Sequence, residues 1–105
     1  MGSDWSVSSA NPLWEMHVAV NRTAPSAYEY GGGTGEPVLP DERIDLATAL
    51  AGFTINSAFV NHLDDLSGSI EVGKRADLAV LDRDLFAHPV GEIADASVVL
   101  TFVDG

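Results

Sequence analysis

The sequence predicts an α/β fold of about three helices and a small β-sheet of two to three strands. Three observations carry that expectation. Leu13, Met16, His17 and Val20 recur at helical spacing, as do Leu46, Leu50 and Phe53 further on. The run Leu78 to Leu81, closed by Asp82, is apolar on both faces, as in a strand covered on both sides. Ser97-Val98-Val99-Leu100-Thr101-Phe102-Val103 is the strongest strand signal in the chain.

Taken in order, residues 1–10 are small, polar and serine-rich and read as a loop. Asn11 is a good N-cap, and Pro12 suits the first helical position, where its missing amide hydrogen costs nothing. The first helix is expected from Pro12 to about Asn21, with Trp14 and Val18 widening its apolar stripe. Residues 22–41 hold three prolines and the run Gly31-Gly32-Gly33-Thr34-Gly35, which predicts a long surface loop with a flexible hairpin tip. The run does not read as a phosphate loop: its Lys-Ser/Thr pair is missing, and Glu36 stands where the anion would sit.

Asp45 or Asp41 can cap the second helix, and Gly52 weakens its end. Thr54 is placed to cap a third, with Ile55, Ala58, Phe59, His62 and Leu63 on one face. Asp45 to Leu63 thus forms a bent helical pair whose nearly continuous apolar stripe needs a cover. Gly68 and Gly73 then bracket Ile70 and Val72, and Gly73 can take the positive φ of a sharp turn into the strand Asp77 to Asp82. Asp84 to Ala96 is an irregular connection with one short helical turn around Val90 to Ile93, because Pro89 blocks a longer one. Asp104-Gly105 is a hairpin-type pair with no return strand after it, so the last strand is expected to leave an edge open to another chain.

Length and composition set limits on what such a fold can do. The 105 residues suit one compact unit, divided for description at residues 1–66 and 67–105. Sixteen acidic against five basic residues give a net charge of −11, which repels phosphate backbones and anionic lipid and argues against nucleic-acid and membrane partners. There is no cysteine, hence neither disulfide nor thiolate metal site. The first residues lack a signal-peptide pattern, and no window approaches the roughly 18 apolar residues of a membrane span, so a cytoplasmic protein is expected.

Few residues point to chemistry by themselves. His17, His62 and His88 are far apart and make no paired metal-ligand spacing; the first two are expected to complete helix faces and the third to sit in a loop. An EF-hand begun at Asp82-Arg83-Asp84 fails at Phe86, Ala87 and Ile93. No Gly-x-Ser-x-Gly elbow accompanies Ser6, Ser8 and Ser9, and the sequon Asn21-Arg22-Thr23 carries little meaning without a secretion signal.

One pattern does point somewhere. Gly68-Ser69-Ile70-Glu71-Val72-Gly73-Lys74-Arg75-Ala76-Asp77-Leu78-Ala79-Val80-Leu81-Asp82, together with Gly2-Ser3-Asp4 and Asp104-Gly105, resembles the metal-dependent amidohydrolases, closest to amidohydrolase family 3. The resemblance implies an α/β fragment derived from the end of a TIM barrel and its C-terminal composite β-domain, about the last fifth of such an enzyme. A complete barrel needs about 250 residues. It also implies that Asp4 is the catalytic aspartate and a metal ligand, acting only with the missing barrel. The His-x-His, Lys and further His ligands of the family lie in segments this chain does not contain. Zinc or a similar divalent metal belongs to full-length relatives, and no cofactor is expected in the isolated chain.

Two readings follow. In one, the chain is the C-terminal portion of a metal-dependent hydrolase of amide or cyclic amide C–N bonds, inactive by itself. In the other, it is a non-catalytic module with no bound metal that forms a homo-oligomer through the helix stripe and the edge strand 98–103.

Overall fold

A computed structural model describes residues 2–28 and 35–105 of the chain. Gly31 to Thr34 of the glycine run, expected as a hairpin tip, lie outside the described residues. Helix α1 spans Pro12–Asn21. The Asn11 side chain accepts from the Leu13 amide at 3.0 Å, with Pro12 in the first turn. Arg22 ends the helix in the left-handed conformation at φ 60°, and its amide donates to the Val18 carbonyl.

Helix α2, Leu46–Phe53, is capped by Asp45, which accepts from the Thr48 amide at 2.7 Å. That bond holds the Asp45 carboxyl below the usual carboxylate range. Helix α3, Ile55–Val60, is shorter than its apolar spacing predicts. Thr54 stands before it but does not cap it; its hydroxyl donates back to the Leu50 carbonyl at 2.7 Å. The backbone breaks there at φ −121° and ψ −101°. That break turns Ala58 inward and leaves Phe59 65% exposed, so the expected stripe is interrupted in its second half. His62, expected on the helix face, lies exposed beyond the helix end at φ 57°.

The sheet has two antiparallel strands, β1 at Leu78–Leu81 and β2 at Val98–Phe102. Leu78 faces Phe102, Val80 faces Leu100 and Leu81 faces Val98, which leaves Val99 as the extra residue of a bulge. Asp82 fixes the register at one end: its amide donates to the Ser97 carbonyl at 2.9 Å, and its Oδ1 accepts from the Ser97 amide at 3.1 Å. At the other end Asp77 Oδ1 accepts from the Asp104 amide at 3.0 Å. Coverage differs from the expectation of a strand buried on both faces. Leu78 and Leu81 are half-buried, Ala79 and Val80 are exposed, and so is every residue of β2. The residues are apolar as the sequence predicts, but among the described residues neither face of the ribbon is covered beyond the half-burial of Leu78 and Leu81.

The core gathers Leu13, Met16 and Val20 of α1, Leu46 and Ala49 of α2, and Leu85, Ile93 and Ala96 from the connection between the strands. Ile44, Leu50, Phe53 and Leu81 pack against it. Its pieces come from both sides of the division at residue 66. The connection's 3-10 helix, Val90–Asp95, is tied to α1 by Asn21 Nδ2, which donates to the Val90 carbonyl at 2.9 Å. Among the described residues no helix is long and apolar enough to cross a membrane.

Candidate functional site

Residues 2–10 form neither helix nor strand but a tight, internally bonded turn. The Val7 amide donates to the Asp4 carbonyl at 2.8 Å, the Ser8 hydroxyl to the Ser3 carbonyl at 2.6 Å, and the Asn11 amide to Ser9 Oγ at 3.1 Å. Asp4 stands at its head with φ 52° and an exposed side chain. Of the non-glycine residues, aspartate is among those that tolerate that conformation best. The turn therefore displays the one carboxylate for which the sequence suggested chemistry.

Beside Asp4 the turn closes over the outer side of α1. Gly2, Ser3, Ser8 and Ser9 on one side and Trp14, Glu15, Arg22 and Tyr28 on the other enclose a cavity of about 450 Å³. The Trp14 and Tyr28 rings meet edge to face, with centroids 6.1 Å apart and an interplanar angle of 85°. Nothing in the sequence marks Glu15, because its neighbours in the cavity come from three segments with no common period. A second cavity, about 580 Å³, lies between α1, the α2–α3 break and the start of β1; Leu13, Met16, Phe53, Ala58 and Leu78 give it an apolar wall.

The three histidines do not converge. His17 is only 6% exposed on the face of α1 that meets the core, and its Nδ1 has no hydrogen-bond partner. Burial pushes its imidazole below the usual value of 6.5, against the opposing pull of Asp95. His88 Nδ1 lies 3.3 Å from Glu92 Oε2 in the loop before the 3-10 helix, and His62 is exposed beyond α3. Among the described residues no group of three or more His, Cys, Asp or Glu side chains could hold a metal ion. The residues present do not by themselves fit a metal site.

The buried His17 has a measurable consequence. The unfolded chain takes up its proton near pH 6.5 and the folded chain only at lower pH, so the imidazole favours folding above 6.5. That contribution is lost as pH falls from 6.5 through the folded value. The denaturant midpoint is expected to drop between about pH 7 and pH 5, and His17→Leu to flatten that drop. An equal drop in both proteins would refute the assignment.

Three acidic side chains, Glu71, Asp82 and Asp84, serve turns. Glu71 accepts from the Ser69 hydroxyl and lies 3.3 Å from Lys74 Nζ, which in turn donates to Ser69 Oγ at 2.6 Å. The Ser69 hydrogen bond first, and Lys74 second, hold the Glu71 carboxyl below its usual range. Asp82 is held low chiefly by Arg83 and then by the Ser97 amide, while Asp84 accepts from the Phe86 amide at 2.9 Å. These bonds pin the glycine turn and the strand end, the same stretch that carries the resemblance.

Comparison with known proteins agrees with that stretch. The sequence model described as "Amidohydrolase family" matches residues 1–105. The chain is 37% identical over its whole length to N-substituted formamide deformylase of Arthrobacter pascens, covering 18% of that protein. It is 34% identical, again over its whole length, to Protein LONG AFTER FAR-RED 3 of Arabidopsis thaliana, covering 17% of it. The chain thus spans less than a fifth of the length of these relatives. No solved structure matches it significantly.

Proposed function

Since the chain belongs to the amidohydrolase family, we propose that it is the C-terminal portion of a hydrolase acting on amide or cyclic amide C–N bonds. The observation that carries the reading is the match over the whole of this chain to a deformylase of N-substituted formamides. Geometry supports it: an exposed aspartate heads a hydrogen-bonded turn beside a cavity of about 450 Å³, within the size range of small-molecule sites. In this reading residues 1–66 derive from the end of a TIM barrel and residues 67–105 from its composite β-domain. Asp4 is this chain's contribution to the active site and to a divalent metal held mainly by the rest of the longer polypeptide. Because one carboxylate cannot hold such an ion, the isolated chain is inactive.

The uncovered apolar surface favours the same incompleteness. Ile70, Val72, Phe59 and Val103 are largely exposed, beside a β2 strand with no buried residue. In the longer polypeptide the remaining segments lie over this surface. In the isolated chain a second copy takes their place, through the β2 edge and the α3 side.

One experiment tests both statements. This chain replaces the matching 105 residues of the Arthrobacter deformylase, and release of formate from an N-substituted formamide is measured beside the sedimentation of the isolated chain. An active chimera and a dimeric, inactive isolated chain are expected. A folded chimera without turnover would sink the hydrolase reading, and a monomeric isolated chain the proposed self-association.

A further inference from the structure

We propose that Arg22 is a positioning residue: through Val38 it fixes the wall that Trp14 and Tyr28 present to the cavity behind the Asp4 turn, and so sets how tightly substrate is held there. The kinetic half of this proposal rests on the hydrolase reading; the half that concerns the wall rests on geometry alone.

The choice of residue is the first sign. Arg22 ends α1 at φ 60°, a left-handed position that glycine ordinarily fills and that an L side chain occupies under strain. Helix termination therefore does not call for arginine. Charge pairing does not call for it either: Arg22 makes no ion pair with Glu15, the other charged residue lining the cavity, or with any other acidic side chain among the described residues.

What the side chain does engage is Val38. The Val38 amide donates to the Arg22 carbonyl at 2.9 Å, and Arg22 Nε donates back to the Val38 carbonyl at 2.9 Å. The two bonds join the same two residues in both directions, so the chain that leaves α1 at Thr23 comes back to the point it left. One amide bond alone would let the segment pivot. The second bond, from the side chain, fixes its direction.

The first stretch to leave is the one that walls the cavity. Ala24, the buried Pro25 and Tyr28 line it, and the Tyr28 amide closes a turn onto the Pro25 carbonyl at 3.0 Å. That turn sets the Tyr28 ring edge to face with Trp14 of α1, centroids 6.1 Å apart. The wall is thus spanned between α1 and a segment whose direction the Arg22–Val38 pair determines. Contacts with such a wall act alike on bound substrate and on the transition state, so loosening it raises KM and spares kcat.

Two substitutions separate the bond from the charge. Glutamine carries an amide N–H at the place of the arginine Nε, so Arg22→Gln keeps a donor for Val38 and loses the charge. Arg22→Met keeps the length of the side chain and loses both. In the isolated 105-residue chain the nuclear Overhauser effect between the Trp14 and Tyr28 rings is expected to survive in Arg22→Gln and to fade in Arg22→Met. In the deformylase chimera Arg22→Met is expected to raise KM about fivefold with kcat within about twofold of the parent, while Arg22→Gln keeps both. Tyr28→Leu, which leaves the Arg22–Val38 pair intact, should raise KM in the same way and decides the kinetic half if the methionine variant fails to fold. An unchanged KM in these variants, a loss carried by kcat, or a glutamine variant as impaired as the methionine one would each overturn the proposal. A ring-to-ring effect unchanged in Arg22→Met would overturn the wall half by itself, whereas an inactive parent chimera would overturn the hydrolase reading and only the kinetic half with it.

Discussion

Gly68→Ala is expected to destabilise the chain by about 2–5 kcal/mol. Two independent terms add at this position. The backbone has φ +89°, where an L side chain is strained by about 1–2 kcal/mol. A Cβ there would also come within 2.7 Å of the Ala58 Cβ and 2.9 Å of the Ile55 Cα. The second neighbour is backbone and cannot swing aside, so overpacking adds about 1–3 kcal/mol. Gly73 separates the two effects, since it has φ +97° but nothing within 4 Å of an added Cβ. Gly73→Ala should show the strain alone, about 1–2 kcal/mol. Urea denaturation of the two variants is the check. Equal losses would mean that the glycine turn does not press on α3 as described.

Ile93→Ala should cost a similar amount, about 2–5 kcal/mol, for a different reason. Ile93 is 1% exposed and is the largest fully buried side chain among the described residues. It sits in the 3-10 helix that packs on α1, beside Leu85 and Ala96 and opposite Leu13 and Met16. Removing three carbons there leaves a hole among elements tied together at Asn21 and Val90, which limits collapse into it. For a chain whose total stability is of order 5–15 kcal/mol, the loss is a large share. Val72→Ala, at a fully exposed position, serves as the control and should change stability by less than about 0.5 kcal/mol. A thermal midpoint for Ile93→Ala no lower than that of the control would move the core elsewhere.

What could be read from the sequence follows how far each physical cause reaches. Asn11 and Pro12 act within one turn, so the start of α1 is legible from two adjacent residues. The same holds for a capping aspartate at 41 or 45, which the structure places at Asp45 over α2, for the 3-10 turn behind Pro89, and for the positive φ at Gly73. The end of α3 is not local in that sense. His62 and Leu63 fall on the helical period, but a six-residue helix begun at a broken backbone has too few internal hydrogen bonds to carry that period through. Leu85 and Ala96 reach the core from an irregular connection where no periodicity marks the inward face.

The sheet shows a second limit. An apolar run states what its residues prefer to touch, whereas coverage depends on which other segments are present. Val80 and the Leu100 opposite it stay exposed, as does Val99 at the bulge, because among the described residues neither face of β2 is buried. The candidate site divides the same way. Asp4 is proposed only through resemblance, since one aspartate in a loop carries no chemical signature. Glu15 and its cavity needed three dimensions, because the wall is assembled from residues 2–9, 14–22 and 24–28.

The most direct test of this chain as part of an amide hydrolase is the turnover lost on Asp4→Asn inside the deformylase chimera. Asparagine keeps the size and polar character of the side chain but cannot carry a proton or a negative charge. A group in a proton-transfer role contributes about a hundredfold or more to rate, so formate release should fall at least that far while the thermal midpoint barely moves. Turnover of Asp4→Asn within about twofold of the parent chimera would contradict the account.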